Sequence, residues 1–341
     1  MEVTIVGAGA IGGTIGAYLS RADILVRLVD SDLDHVTAMK ATGLAIRSDD
    51  QIITVPVDAA SPSELRGPLD VVLLAVKAQH TADATRLIAP LLAANSVIVS
   101  LQNGLCERVI AGLVGAERTI GCLVNFSADY IEPGVIAFGG LGSVYLGELD
   151  GRRSRRIEEL RQLLSHWGTV HVTENIWGYL WGKMGYANMI YATALTDDTM
   201  ATIIDQYRPL MVELATEIYE VAHREGVVPE PFDDVEPALY YPRERRDAAA
   251  IQRSLDALVE RRRRDRKEKS GIWRDLAVRH WKTEVDQQIE LALEVGAGYG
   301  LPMPVTRKLV EMIHELEDGE RHMTVANVEN LDALRRTVAS V

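Results

Sequence analysis

A short apolar, β-branched run from Val3 to Val6 passes through Gly7, Gly9 and Gly12 into a small-residue segment ending near Arg21. A second apolar run, Ile24 to Val29, then closes on Asp30. Strand, glycine turn, helix, strand and terminal acid in that order form the unit that cradles a dinucleotide. Gly7 permits the tight turn, Gly9 lets backbone N–H groups approach a pyrophosphate, and Gly12 lets the helix lie close on its strand. Ala10 and Ile11 open that helix, whose positive end faces the phosphates.

Asp30, eighteen residues after Gly12, bears on which dinucleotide is bound. A carboxylate at the end of the second strand accepts hydrogen bonds from the ribose hydroxyls, whereas a 2′-phosphate there needs a cation. The segment offers Asp30, Asp32 and Asp34, and its nearby arginine, Arg27, lies inside the strand. Like charges about 4 Å apart repel by ~1 to ~4 kcal/mol between bulk water and a protein surface, roughly tenfold to thousandfold discrimination against NADP. NAD is therefore the expected cofactor. In the alternative reading Asp30 only caps a helix starting at Leu33.

Alternating strands and helices continue through the first half, with Leu69–Val76 and Ser96–Asn103 as near-continuous apolar runs. Such strands are buried on both faces of a parallel sheet, and the ligand crevice lies at their carboxyl ends. A turn-rich stretch around Pro133, Gly134 and Gly139 to Gly142 predicts hairpin-like strands. Arginines between Arg152 and Arg156 then open a helix through Trp167. From about Ile176 the pattern is helical. The expected fold is thus α/β, a Rossmann dinucleotide-binding domain over residues 1–172 followed by an all-α domain over 173–341.

A chain of 341 residues has room for two such cores, and its net charge of −13 disfavours nucleic acid and anionic membrane as partners. The basic run Glu260–Lys269 lacks interleaved aromatics, which favours a solvated helix face or loop. Two cysteines, Cys106 and Cys122, fit a reducing compartment, and no secretory leader or membrane-length run is evident. A cytoplasmic protein is expected. Metal-ligand spacings are lacking, so no metal is expected. Helices with two apolar faces suggest a homodimer.

Lys77 ends the strand DVVLLAVK and Asn103 ends VIVSLQN, positions that face the crevice, although a solvated loop residue is the plainer reading. The first segment of the second half, NIWGYLWGKMGYANMIYATAL, is strongly apolar yet carries Lys183. Such a lysine either snorkels to the surface or is held where its charge is used. Downstream, Ser270, Asp275, Glu284 and Asp286 are expected on one long helix. Glu284 is the attractive partner for Lys183, because an ammonium in a dry cleft needs a carboxylate to stay protonated.

With these residues in place, the chain resembles the ketopantoate reductase (2-dehydropantoate 2-reductase) family. The matching pieces are GAGAIGG, AVKAQHT with Lys77, LQNGL with Asn103, WGKM with Lys183, DLAVRHWKTEVD with Glu284 and GYGLPMPV, in family order and spanning nearly the whole chain. The resemblance implies a second domain of the 6-phosphogluconate-dehydrogenase-like kind and an active site between the domains. It implies Lys183 as proton donor, with Lys77, Asn103 and Glu284 contacting cofactor, substrate or both.

Departures from the family shape the expected substrate. Members that reduce ketopantoate carry asparagines four and eight residues after the catalytic lysine, and this chain has Ala187 and Tyr191 there. Asn188 is nearby but lies some 140° around the helix from Lys183 unless a π-bulge corrects the register. The family's serine pair reads Ser270-Gly271 here, and most members prefer NADP where Asp30 argues for NAD. The expected substrate-binding set is Asn103, Lys183, Ala187, Tyr191 and Ser270. The expected activity is hydride transfer between NAD and a 2-oxo or 2-hydroxy acid with a bulkier or less polar tail. An opine-type or sugar-acid dehydrogenase and a non-catalytic NAD-sensing regulator are the alternatives. Residues 225–269 carry no family motif and read as a lid, an oligomer contact or an inert insertion.

Overall fold

The computed structural model describes residues 2–48, 51–265 and 267–338. The chain forms two compact units, the first running to Ile176 and the second starting at Trp177. The expected division was at 172/173. The sheet holds on to the chain longer because the Thr173 N–H donates to the Leu146 carbonyl and Asn175 N–H to the Thr173 hydroxyl.

In the first unit the strands are β1 (Val3–Val6), β2 (Val26–Val29), β3 (Leu44–Arg47), β4 (Ile52–Val55), β5 (Asp58–Ala60) and β6 (Leu69–Leu74). They continue with β7 (Leu92–Ser100), β8 (Thr119–Asn125), β9 (Ala128–Glu132), β10 (Val135–Phe138), β11 (Ser143–Glu148) and β12 (Val170–Val172). The helices are α1 (Ala10–Arg21), α2 (Leu33–Thr42), α3 (Thr81–Ile88), α4 (Cys106–Val114) and α5 (Arg155–Leu164). The main sheet runs β12-β11-β8-β7-β6-β1-β2-β5, and its β5-to-β8 portion is parallel with the strand order of a doubly wound dinucleotide-binding sheet. Val3, Ile5, Leu28, Val72, Leu73 and Ile98 are fully buried in it, as strands covered on both faces must be. The turn-rich stretch supplies β9 and β10, which join β3 and β4 in a second sheet of order β4-β3-β10-β9.

The second unit is helical: α6 (Ile176–Thr193), α7 (Met200–Gln206), α8 (Arg208–Arg224), α9 (Ala248–Arg264), α10 (Gly271–Arg274), α11 (Leu291–Gly298), α12 (Pro304–Glu317) and α13 (Val325–Val338). α8 is its axis, with Leu210, Leu214, Ile218 and Val221 sealed from solvent. A Cβ on Gly185 would fall 2.2 Å from the ring of Tyr219, so a glycine there is what lets α6 and α8 approach. Within the stretch that carries no family motif, α9 buries Ile251, Leu255, Leu258 and Val259 and packs on α7.

The single long helix expected from Ser270 to Asp286 is not formed. A π-helical turn, Asp275–Arg279, ends at His280 in the left-handed conformation (φ 53°), and the helix resumes only at Val285. Across the break, Thr283 donates through its N–H (2.7 Å) and hydroxyl (2.6 Å) to Glu317 on α12. Local periodicity favoured continuation, but a doubly bonded tertiary contact to a buried threonine outweighs one turn of helix.

Candidate active site

Parallel pairing lines up the carboxyl ends of the central strands. Val6 pairs with Leu74 and Leu74 with Ser100, while Gly7, Ala75 and Leu101 continue the ladder through N–H bonds of 2.8 Å to Val29, Val6 and Leu74. The glycine turn, Asp30, Lys77 and Asn103 therefore share one edge of the sheet. Gly7 has φ 97°, and a Cβ there would sit 2.6 Å from the Val76 nitrogen. One on Gly12 would sit 2.9 Å from Ile5 Cγ2, whereas one on Gly9 would meet nothing within 4 Å. The turn is thus closed against its own sheet and open on the far side. Helix α1 begins at Ala10 and Ile11 with no side-chain cap and no acid in its first turn, as suits an end that receives an anion. These features fit a dinucleotide.

Asp30 does not cap α2. Its Oδ2 accepts from the Ala8 N–H at 2.7 Å and its Oδ1 from the Asp32 N–H at 3.0 Å. Asp32 is the cap, accepting from the N–H groups of Asp34 and His35 at 3.1 Å each, while the Tyr130 hydroxyl donates to its Oδ2 at 2.9 Å. Burial works against the Asp32 charge, yet these donors hold its carboxyl below the usual range, and burial beside Asp32 pushes the Tyr130 phenol up. Arg27 is committed elsewhere, its Nε 2.8 Å from Asp58.

Beside Lys77 and Asn103, a buried polar staple joins their two loops. Gln102 Nε2 donates to the Val76 carbonyl (2.9 Å) and to the Thr81 hydroxyl (2.7 Å), and Cys106 Sγ reaches the Asn103 carbonyl at 3.3 Å. Sequence reasoning passed over Gln102 and Thr81, although both lie inside the LQNGL and AVKAQHT segments. Lys77 is half-buried and Asn103 exposed.

Helix α6 is continuous, and between Ile176 and Thr193 only Trp177, Tyr179, Lys183 and Ala187 escape full burial. Tyr179, Lys183 and Ala187 follow one another at four-residue spacing and so form a single stripe. Tyr191 extends the stripe but is 1% exposed. Burial and the charges of Glu284, Glu317 and Asp275 keep its phenol well above the ordinary range. With no π-bulge, Asn188 faces away. Fully buried, it donates to the Leu214 carbonyl (2.9 Å) and the Thr306 hydroxyl (2.8 Å).

Ser270 is the cap of α10, its hydroxyl oxygen accepting from the Trp273 N–H at 3.0 Å, and it does not share a helix with Glu284. The basic run is a set of ion pairs: Arg261 with Asp234 (3.0 Å), Arg262 with Asp265 (2.7 Å), Arg263 with Asp205 (2.7 Å) and Arg264 with Glu260 (2.8 Å). Arg266 lies outside the described residues. Asp286 Oδ1 meets His314 Nε2 at 2.7 Å with Glu290 beside them. Cys106 and Cys122 are buried, and among the described residues no helix is long and apolar enough to cross a membrane.

Residues 3–151 match the family model for ketopantoate reductase PanE/ApbA, and residues 175–317 match the model for its C-terminal part. The 2-dehydropantoate 2-reductase of Mesorhizobium japonicum is 31% identical over 230 residues, covering 60% of this chain and 70% of that protein. The 2-dehydropantoate 2-reductase of Halobacterium salinarum is 27% identical over 234 residues, 67% of this chain and 77% of that one. A solved PanE/ApbA family ketopantoate reductase from Ralstonia eutropha JMP134 aligns with a TM-score of 0.78 at 27% identity, over 94% of this chain and 100% of its own. D-mandelate dehydrogenase, solved with NADH and anilino(oxo)acetate, aligns with a TM-score of 0.80 at 22% identity, over 94% and 99%, a likeness of fold.

Proposed function

Because this chain belongs to the ketopantoate reductase family, we propose that it is an NAD-preferring oxidoreductase that interconverts a 2-oxo acid and its 2-hydroxy counterpart, with Lys183 as general acid. The observation that carries the reading is Lys183 itself, the one cation on the partly open stripe of an otherwise buried helix. A bound nicotinamide supplies the hydride. Lys183 gives a proton to the carbonyl oxygen as negative charge develops on it, and takes one back in the oxidative direction. Glu284 keeps that ammonium charged against the cost of burial. Gly7, Gly9, Ala10, Ile11 and Gly12 receive the pyrophosphate and Asp30 the ribose. Lys77 and Asn103 contact cofactor, substrate or both.

Preference for NAD rests on the acids Asp30 and Asp32 at the ribose position and on Arg27 being engaged by Asp58. Ala187 and Tyr191 remove the amides that hold a short polar tail, so the substrate carries a bulkier or less polar one, with Ser270 at its other side. Oxidation is the working direction in this reading, in a cytoplasmic homodimer. A panel of 2-oxo and 2-hydroxy acids, assayed with NAD(H) and NADP(H), tests it. NADH-dependent turnover of branched or aromatic 2-oxo acids is expected. Strong NADPH-dependent turnover of ketopantoate would overturn the cofactor and substrate assignments, and no turnover with either cofactor would overturn the activity.

A further inference from the structure

The glycine turn is gripped by a side chain that no motif announces. His35, in the first turn of α2 and 1% exposed, brings Nε2 to 3.0 Å from the Ala8 carbonyl oxygen. The Gly134 N–H donates to its Nδ1 at 2.9 Å, so Nδ1 carries no proton and the ring is the neutral tautomer with its hydrogen on Nε2. Nε2–H therefore donates to Ala8. The Tyr130 ring closes the site edge-on, 5.0 Å away at 80°, and the same tyrosine bonds Asp32.

We infer that His35 is a positioning residue for dinucleotide binding, acting through the Ala8–Gly9 peptide. A trans peptide is planar, so fixing the Ala8 C=O toward His35 turns the Gly9 N–H the opposite way. Asp30 holds the Ala8 N–H at 2.7 Å and the Val29 carbonyl holds the Gly7 N–H at 2.8 Å. With His35 on the carbonyl, the turn is fixed before a pyrophosphate arrives, and binding loses less ordering entropy. The second sheet thereby takes part in cofactor recognition, because Gly134 and Tyr130 orient the histidine. The inference rests on the nicotinamide reading above and assigns a role to a residue outside that reading's binding set.

Three variants separate positioning from packing. The amide nitrogen of glutamine reaches the place of Nε2, while asparagine reaches only that of Nδ1. His35→Leu and His35→Asn should weaken NADH binding by roughly three- to tenfold, the range of one lost hydrogen bond, as read by calorimetry. His35→Gln should recover most of it, and kcat at saturating cofactor should stay within about twofold of wild type for all three. Equal affinities for the Asn and Gln variants, or unchanged affinity with only a lower Tm, would overturn the inference. Should His35→Leu fail to fold, the Asn and Gln pair decides alone. Because NADH binding is measured without substrate, absent turnover leaves this test intact. If the wild type binds neither NADH nor NADPH, the nicotinamide reading and the inference both fall.

Discussion

Asp30 Oδ2 accepts the N–H of Ala8 at 2.7 Å, so the carboxylate proposed to bind the ribose is also a strut of the glycine turn. Asp30→Ala should therefore weaken NADH binding by at least about tenfold, since a hydrogen bond to a charged group contributes about 1.5–3 kcal/mol. NADPH should lose less, because a repulsive charge leaves with the carboxylate. The ratio of the two dissociation constants, measured by fluorescence titration, checks this. An unchanged ratio would count against Asp30 as the discriminating residue.

Lys183→Ala should lower kcat by roughly 10²–10⁴, as for loss of a positioned general acid, while NADH affinity stays near wild type. Steady-state kinetics with a parallel cofactor titration separates the two quantities. Retention of most of the activity would return Lys183 to the surface-snorkelling alternative.

Asn188 is tied to Leu214 and Thr306, two residues of the buried helical core. Asn188→Ala should cost about 1–3 kcal/mol of stability through the lost bonds and leave kcat and KM nearly unchanged. Urea unfolding and kinetics on one preparation test both halves. A large fall in kcat with stability intact would place the amide at the site after all.

Glu217 on α8 caps α12 from a distance, accepting from the N–H groups of Val305 (3.2 Å) and Thr306 (2.7 Å). Burial pushes its carboxyl up to about 7, from an ordinary value of 4.5, despite those donors. Between these values the folded chain keeps a proton that the unfolded chain has released, so stability falls as pH rises from about 4.5 toward 7. The integrated effect is about 3 kcal/mol. Urea midpoints at pH 5.5 and 7.5 should differ in the wild type by more than in Glu217→Gln, which cannot ionise. Equal differences would remove Glu217 as the cause.

The first thirty residues could be read as a dinucleotide cradle because its strand, glycine spacing, helix start and terminal acid are all written within thirty positions, whereas the close approach of Gly7 to Val76 and of Gly12 to Ala75 needed the folded sheet. Lys183 and its four-residue stripe were legible for the same reason, as helical period alone sets Ala187 and Tyr191 beneath it. The helix from Ser270 to Asp286 was misread because periodicity is silent about Thr283 and Glu317, whose bond spans thirty-four positions.

Sequence by itself determined the order of strands and helices, the glycine turn, the acid that follows it and the lysine-bearing helix, since backbone sterics and side-chain period are local. Tertiary structure alone decided that Asp30 holds the Ala8 N–H, that His35 meets Gly134 and Ala8, and that Gln102 joins the loops of Lys77 and Asn103. A buried polar group must find a partner wherever the packed chain brings one, and for these residues the partner stands twenty to a hundred positions away.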